Sequence, residues 1–546
     1  MRKAFEKISS QSFFLCCFVF TLFLTSCGEK PPEIESIYPR IGRLGEILII
    51  RGSGFGNERN ESFISIAGTS LTSSSYLSWN DSEISVKVPE FGEAGLVYVH
   101  RGRKKSNPAL FANQDTLPEP VAGTQTGAHP IITSIEPASG AIGSRITIQG
   151  SNFGSSREKS GVFFSWDAES PPTGILPPDF VEVFDSELGY ELWSEREIRV
   201  RVPDGAISGN LEIRTPRGNS RPVFFEITGK PGIKTFKDKR SYVLSYTADF
   251  SIEKTVLPNL LYVWMPRPAL SASQRNVRLI SRSTEPFVEN YRGTSLFQLI
   301  DALSGINWEI SLSYVTDIYA VETSVRSQTG VRQNRPSPVN TICLLPSSLI
   351  PSENSVIKDQ VKAIIGNERL PYARAQRIYD WLISTVQIGG SSFYGGVLDA
   401  FEAKRADSYS ASLLFCALAR AAEIPAQPVA GVIINRHRNA SKHYWAEFWL
   451  DGFGWIPLDP ALGAGAAPPD FLLREDHARY YFGNIDNQRI AFSRGEHFLS
   501  QMTPRGRTAL RDREYSLQNI WEEASGGLKS YTSIWGDITI SGIYIQ

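Results

Sequence analysis

Apolar and polar positions follow different periods in different parts of this chain. Up to about residue 230, short runs such as ISVKV at 84–88 place an apolar side chain at every second position, and glycine or proline separates one run from the next. A period of two is typical of β-strands that bury one face. The pattern therefore predicts small antiparallel sandwiches in this part of the chain.

The sandwich pattern occurs twice. Residues 34–56 match 132–154 at a constant offset of 98, and 79–89 match 193–203 at an offset of 114. The first match includes the pairs Ile37/Ile135, Pro39/Pro137, Gly45/Gly143, Gly52/Gly150, Phe55/Phe153 and Gly56/Gly154. The difference of 16 residues between the two offsets indicates an insertion in the second copy, around 167–191.

Both copies carry the motif I-x-P-x-x-G-x-x-G, followed by a strand and G-x-x-F-G. This motif resembles the IPT/TIG family over 31–112 and 129–228. The resemblance implies two all-β, immunoglobulin-like sandwiches, which act as spacers or as protein-binding surfaces, and neither copy shows residues that carry chemistry. Residues 113–128 between them are rich in proline, glycine and threonine, and they are predicted to be a linker.

From about residue 236 the periodicity is mixed. Alternation over 241–264 and 305–323 predicts strands, whereas 371–386 and 408–422 carry apolar residues at helical spacing. Pro371 suits the first turn of the earlier helix. The predicted buried faces are Tyr372, Ala375, Ile378, Tyr379, Leu382, Ile383 and Val386 on the first helix, and Ala411, Leu414, Phe415, Leu418 and Ala422 on the second. This mixture predicts an α+β domain.

The candidate chemistry lies in the strands after the second helix. Alternation over 443–450 places His443 and Glu447 on the same face of a strand. A turn is predicted at the Asp-Gly pair of 451–452, and the returning strand leads to Asp459. Asp459 is therefore expected on the neighbouring strand, within a few residues of the register of His443.

Three motifs in this region resemble those of the transglutaminase-like family, within the papain-like cysteine protease superfamily. They read LFCALARAAEIPAQ at 414–427, HYWAE at 443–447 and WIPLDP at 455–460. The resemblance covers roughly 236–500. It implies a β-domain at 236–345 and an α+β core at 346–500, which leaves 501–546 as a C-terminal extension.

The sequence departs from the family pattern at the nucleophile. Counting back from Arg420, the position of the family's catalytic cysteine holds Ser408. The resemblance retains the other two catalytic positions, at His443 and Asp459. Cys416 cannot stand in for the nucleophile, because eight residues along a helix correspond to about 12 Å. The predicted catalytic set is therefore Ser408, His443 and Asp459.

Chemistry alone does not decide whether this set is active. A serine hydroxyl is a much weaker acid than a cysteine thiol, so His443 would have to remove the proton of Ser408 during attack. Serine is also among the commonest residues that cap a helix N-terminus, which gives Ser408 a structural explanation. Two further family positions differ, with Ala406 in place of a glycine and Gln427 in place of an arginine.

Three functions follow from these residues. The main prediction is a degenerate transglutaminase-like domain that binds peptide, protein or peptidoglycan-stem material with weak or no catalysis. The second is an active hydrolase or acyltransferase that uses Ser408, His443 and Asp459 on peptide or amide substrates. The third is an envelope adhesin or scaffold that acts through the IPT/TIG domains, in which His443, Trp445 and Trp449 are structural residues.

The N-terminus predicts export. A basic head precedes an apolar run at 13–24, which is too short to span a bilayer but suits the core of a signal peptide. The following LTSCG at 24–28 resembles the lipobox of bacterial lipoproteins. The resemblance implies that a signal peptide of 1–26 is removed and that 27–30 become a lipidated N-terminus.

Lipidation of Cys27 would anchor the chain to a membrane of the cell envelope. Gly28 is not the aspartate that retains such proteins at the inner membrane, so the outer membrane is the expected destination. Whether the anchored protein faces the periplasm or the cell surface stays open.

Composition limits the other partners. A chain of 546 residues suggests three or four domains, and its formal net charge of −1 provides no general attraction for nucleic acid. No metal-ligand motif occurs, so neither a metal nor another cofactor is expected. Cys343 and Cys416 remain in the exported chain, and their spacing leaves a disulfide between them open.

Overall fold

The computed structural model describes residues 30–39, 41–42, 45–88, 95–113, 128–157, 159–166, 179–229, 232–325, 337–389, 393–503 and 505–545. The predicted signal peptide and lipidation at Cys27 lie outside these ranges. The chain divides into two compact units, Met1–Leu117 with Met502–Arg505, and Pro118–Gln501 with Gly506–Gln546. Within the described ranges, no helix has both the length and the apolar character needed to cross a membrane.

In its described residues, the first sandwich has ten strands in two facing sheets. Their order is β1-β3-β7-β6 in one sheet and β2-β10-β8-β4-β5 in the other, where β9 also pairs with β8. Alternating residues fill the core between the sheets, as the period of two predicts. The strands are β1 Glu33–Tyr38, β2 Ile41–Gly42, β3 Ile47–Ser53, β4 Phe63–Ile66, β5 Thr69–Ser70, β6 Tyr76–Trp79, β7 Glu83–Lys87, β8 Gly95–Arg101, β9 Lys104–Lys105 and β10 Ala109–Asn113.

The second sandwich repeats this topology strand for strand, in the orders β11-β13-β17-β16 and β12-β20-β18-β14-β15 with β19 on β18. The repeated glycines have a steric cause: a Cβ on Gly52 or Gly150 would lie 1.9 or 2.0 Å from a backbone oxygen of the adjacent strand. The strands are β11 Ile131–Glu136, β12 Ser139–Gly140, β13 Arg145–Ser151, β14 Gly161–Trp166, β15 Asp179–Glu182, β16 Tyr190–Trp193, β17 Glu197–Arg201, β18 Ala206–Thr215, β19 Gly218–Asn219 and β20 Val223–Ile227.

A β-domain of two further sheets follows. It is built around two long antiparallel strands, β21 and β26, and the C-terminal segment returns to complete both sheets. The orders are β23-β26-β21-β35, with β36 also on β21, and β24-β25-β22-β34-β33. The strands are β21 Gly232–Thr255, β22 Leu260–Pro266, β23 Gln274–Arg282, β24 Val288–Tyr291, β25 Thr294–Ile300, β26 Asn307–Val325, β33 Arg507–Ala509, β34 Glu522–Ala524, β35 Leu528–Trp535 and β36 Thr539–Ile545.

The α+β core packs helices against the sheet β31-β30-β29-β32. The helices are α1 Pro338–Ile342, α2 Ser355–Ile365, α3 Pro371–Thr385, α4 Val397–Ala403, α5 Ser408–Ala421, α6 Pro460–Gly463 and α7 His477–Tyr480. The strands are β27 Gln387–Ile388, β28 Arg405–Ala406, β29 Ala426–Ile434, β30 Ala440–Leu450, β31 Gly454–Leu458 and β32 Arg489–Arg494. The two predicted helices are confirmed as α3, which begins at Pro371, and α5, which is buried from Tyr409 to Ala419.

The second sandwich and the core share one hydrophobic cluster. It joins Ile142 and Trp166 of the sandwich to Trp445, Trp449 and Trp455 of the core sheet. Such a continuous buried interface distinguishes the second copy from a spacer, which would fold and pack on its own.

Candidate functional site

His443 and Asp459 form a buried pair at the centre of the core sheet. His443 lies in β30, and Asp459 follows β31 directly, on the adjacent strand. The His443 Nε2 and Asp459 Oδ2 atoms are 2.7 Å apart. The other oxygen, Oδ1, accepts a hydrogen bond from the backbone N–H of Leu462 at 2.9 Å and so caps α6. The predicted proximity of His443 and Asp459 is confirmed.

The Asp459 carboxylate is ionised at neutral pH although it is fully buried. Burial works to raise its pKa, but the His443 imidazole, the Arg489 guanidinium and the N–H of Leu462 together lower the pKa to about 2. A carboxylate at Nε2 favours the tautomer that carries its proton there, which leaves Nδ1 as the acceptor. The pair can therefore orient the imidazole as a general base.

Arg489 completes the pair from β32, and no local sequence pattern predicts it. Its Nη1 lies 2.9 Å from Asp459 Oδ2, and its Nη2 lies 2.6 Å from Asp486. The guanidinium also lies 5.0 Å from the ring of Trp445, which stacks on His443 with ring centroids 6.3 Å apart. Trp445 is thus both a core residue and a wall of the candidate site.

Ser408 is the first residue of α5 and is half-buried, but it does not cap the helix. The cap is Asp407, whose Oδ1 accepts the backbone N–H of Ser410 at 2.9 Å, while the Ser410 hydroxyl accepts the N–H of Asp407 at 3.1 Å. The capping explanation of Ser408 is therefore wrong, because the extended backbone of Asp407 places an equally good cap one residue earlier.

The Ser408 hydroxyl makes no hydrogen bond to any described residue, and this includes His443. The start of α5 nevertheless lies beside the strand of His443. The ring of Tyr409 meets the ring of Tyr444 edge to face, with centroids 5.0 Å apart. The structure thus brings the neighbours of the two predicted residues into contact.

A second buried polar cluster lies on the same strand, at Glu447. Its Oε1 accepts hydrogen bonds from Gln427 Nε2 at 2.6 Å and from Arg494 Nε at 2.8 Å. Arg494 Nη1 in turn lies 2.6 Å from Glu187 of the second sandwich. Gln427 stands where the resemblance implies an arginine, and Arg494 supplies the positive charge instead. Glu187 falls within the predicted insertion, which was the only sequence signal for it.

Cys343 and Cys416 are buried free thiols, so the disulfide that their spacing left open is not formed. Burial raises the pKa of Cys343 to about 11 and raises that of Cys416 further. Neither thiol is therefore ionised at neutral pH, and neither replaces the nucleophile. Among the residues whose placement is described, no group of three His, Cys, Asp or Glu side chains could hold a metal ion.

Comparison with known proteins agrees with this architecture. The family model of the transglutaminase-like superfamily matches residues 358–460, and that of the IPT/TIG domain matches 32–112 and 130–167. An uncharacterised protein of Haemophilus influenzae is 27% identical over 27% of this chain and 48% of its own length. A cyclomaltodextrin glucanotransferase of Paenibacillus macerans is 30% identical over 16% of this chain and 12% of its own length. The chain thus spans about half of the first relative and a small part of the second.

Among solved structures, a protein of Cytophaga hutchinsonii that is provisionally described as a cysteine protease is 14% identical. The match covers 57% of this chain and 92% of that one, with a TM-score of 0.36. The two family models show that the chain carries IPT/TIG domains followed by a domain of the transglutaminase-like superfamily. The duplicated sandwich topology and the buried His443–Asp459 pair agree with them.

Proposed function

We propose that the transglutaminase-like domain binds peptide or protein ligands, with peptidoglycan-stem material as one candidate, and that it has weak or no catalytic activity. One observation carries the proposal. The His443–Asp459 pair is complete, whereas Ser408 at the nucleophile position makes no hydrogen bond to the imidazole. A serine hydroxyl needs a hydrogen bond to a base to become a nucleophile, and Ser408 makes no such bond to His443.

The retained polar residues support a binding cleft. The chain His443–Asp459–Arg489 is buried, and a buried ion pair contributes little more to stability than apolar residues of the same volume. Its presence is therefore better explained by recognition of a polar ligand than by stability of the fold. An amide-rich peptide offers the donors and acceptors that such a site would bind.

The alternative function is an active Ser-His-Asp hydrolase or acyltransferase. It is favoured by the position of the Asp407 cap, since this cap leaves the Ser408 hydroxyl without a structural task. In this alternative, the hydroxyl moves into contact with His443 Nδ1 when a substrate binds, and the imidazole takes its proton.

A serine-directed fluorophosphonate probe separates these two functions. We expect peptide mass mapping of the full chain to show no labelling at residue 408. A peptide ligand should still bind to the same protein. Labelling of Ser408 that disappears in His443→Ala would overturn the binding proposal in favour of the enzyme. Peptide binding that is unchanged in Trp445→Ala and His443→Ala would show that the cleft is not the ligand site.

We further propose that the protein is a lipoprotein of the cell envelope, anchored through lipid on Cys27, with the outer membrane as its destination. The proposal rests on the lipobox-like sequence at 24–28. Metabolic labelling with an alkyne palmitate analogue tests it. The parent protein should be labelled and Cys27→Ala should not, whereas equal labelling of both would contradict the proposal.

The scaffold alternative assigns ligand binding to the sandwiches. Deletion of 31–112 tests it without cutting the buried interface of the second copy. If partners are captured from the envelope equally well after this deletion, the first sandwich does not carry the binding activity.

A further inference from the structure

Two consecutive residues of the C-terminal segment, Arg513 and Glu514, contact both sides of the candidate cleft, α5 and β30. Arg513 contacts the residues on either side of Ser408: it forms an ion pair with Asp407, and its guanidinium lies 4.4 Å from the ring centroid of Tyr409. Arg513 Nη2 also donates to the carbonyl of Gly395 at 2.9 Å.

The next residue, Glu514, contacts the residues on either side of His443. Its carboxylate accepts from Lys442 Nζ at 2.7 Å, and its carbonyl accepts from the Tyr444 hydroxyl at 2.6 Å. These two adjacent residues thus link α5, which begins at Ser408, to β30, which contains His443. Arg513 holds a left-handed backbone with φ +59°, which side-chain-bearing residues rarely adopt, so the surrounding contacts must maintain it.

This segment lies outside residues 358–460, to which the transglutaminase-like family model applies. The positive charge of Arg513 also lies close to residue 408, because Arg513 pairs with Asp407. Asp407 precedes residue 408 directly, and an unpaired carboxylate there would oppose any anionic group at position 408.

We propose that Arg513 is a positioning residue for the cleft, which fixes the start of α5 against β30 and neutralises Asp407 beside residue 408. The inference uses the same cleft as the proposed function, but it concerns the charge at the nucleophile position and does not depend on which ligand binds. Arg513 acts through Asp407 and Tyr409.

A cysteine at position 408 reports this charge directly. In full-length Ser408→Cys, the rate of alkylation by iodoacetamide is measured against pH, and the peptide that carries residue 408 is quantified by mass spectrometry. Adding Arg513→Gln should raise the pKa of the thiol by about one pH unit, the size expected when one charge several ångströms away is removed. Adding Arg513→Lys should keep the thiol pKa near that of the Ser408→Cys parent.

Two controls separate charge from loosening of the segment. Tyr444→Phe removes a hydrogen bond from the same segment without changing any charge, and it should leave the thiol pKa unchanged. Asp407→Asn combined with Arg513→Gln removes both charges and should return the thiol pKa close to that of the parent. Thermal unfolding of each variant confirms that the protein is folded.

The proposal is overturned if Arg513→Gln shifts the thiol pKa no more than Tyr444→Phe does, in a folded protein. It is also overturned if Asp407→Asn fails to cancel the shift. Both results are independent of ligand binding, so they leave the proposed function to its own test.

Discussion

The two sandwiches have the same topology and different surroundings, and the difference starts from single residues. At the offset of 98, Gly68 of the first copy corresponds to Trp166 of the second. A Cβ added at Gly68 would meet no atom within 4 Å. Trp166 instead packs against Phe236 and Tyr319, with ring centroids 5.3 and 5.0 Å apart. The second copy therefore joins a larger core through an apolar side chain at a position where the first copy has a glycine.

One buried ion pair of the second copy contrasts with an exposed pair of the first. The first copy carries the ion pair Arg51–Glu83, in which the side chains are 63% and 38% exposed. The second copy carries Asp204, paired with Lys234 at 2.6 Å and only 7% exposed, and Lys234 also donates to the carbonyl of Trp455 at 2.7 Å. In the second copy the fold thus carries a buried charge that also contacts the α+β core.

The largest expected effect comes from the equivalent phenylalanines of the two copies. Phe153→Ala should lower the free energy of unfolding of the second unit by about 3–5 kcal/mol, because a buried ring leaves a cavity in a cluster that extends into the core sheet. Phe55→Ala should destabilise the first unit alone. Calorimetry should resolve the two transitions. If Phe55→Ala lowers the unfolding temperature of the transglutaminase-like domain as much as Phe153→Ala does, the two copies do not differ in their coupling to that domain.

A smaller effect is expected from the ion pairs. Lys234→Met leaves Asp204 buried without a counterion and should lower the free energy of unfolding of the second unit by about 3 kcal/mol. Arg51→Met, which removes the cation of the exposed pair in the first copy, should cost less than about 1 kcal/mol. Urea denaturation of both variants measures the difference. Equal costs would show that the buried interface does not isolate Lys234 from water.

The smallest expected effect is the response of the second unit to acid. The pKa of Asp459 is about 2 in the folded protein, below its ordinary value of 3.8, so the carboxylate favours folding above pH 4. That stability, about 2 kcal/mol, should be lost as the pH falls from 4 to 2. The difference in stability between the parent and Asp459→Asn, measured at several pH values, isolates it. A difference that does not change over this range would contradict the assigned pKa.

The sequence could predict those features that depend on local pattern. The sandwiches follow from the period of two and the repeat, and α3 and α5 follow from helical spacing. The His443–Asp459 pair follows from a strand, a short turn and a returning strand, which lie within 16 residues of one another. Each of these rests on contacts close in the chain.

The remaining features depend on contacts between distant residues. Arg489 reaches Asp459 from another strand, and Glu187 reaches Arg494 from another domain. The strands β34, β35 and β36 pair with residues more than 250 positions earlier, which no local period reveals. The cap of α5 was misplaced for a different reason: aspartate and serine are equally good caps, and Asp407 and Ser408 are adjacent.

We propose that the His443–Asp459 pair is intact and that the serine at position 408, where the family has a cysteine, is what prevents catalysis. The most direct measurement compares the amide hydrolysis or transamidation catalysed by full-length Ser408→Cys with that of the parent. The account predicts that the variant gains activity and loses it again when His443→Ala is added. A Ser408→Cys variant that is folded and binds peptide but remains as inactive as the parent would contradict the claim.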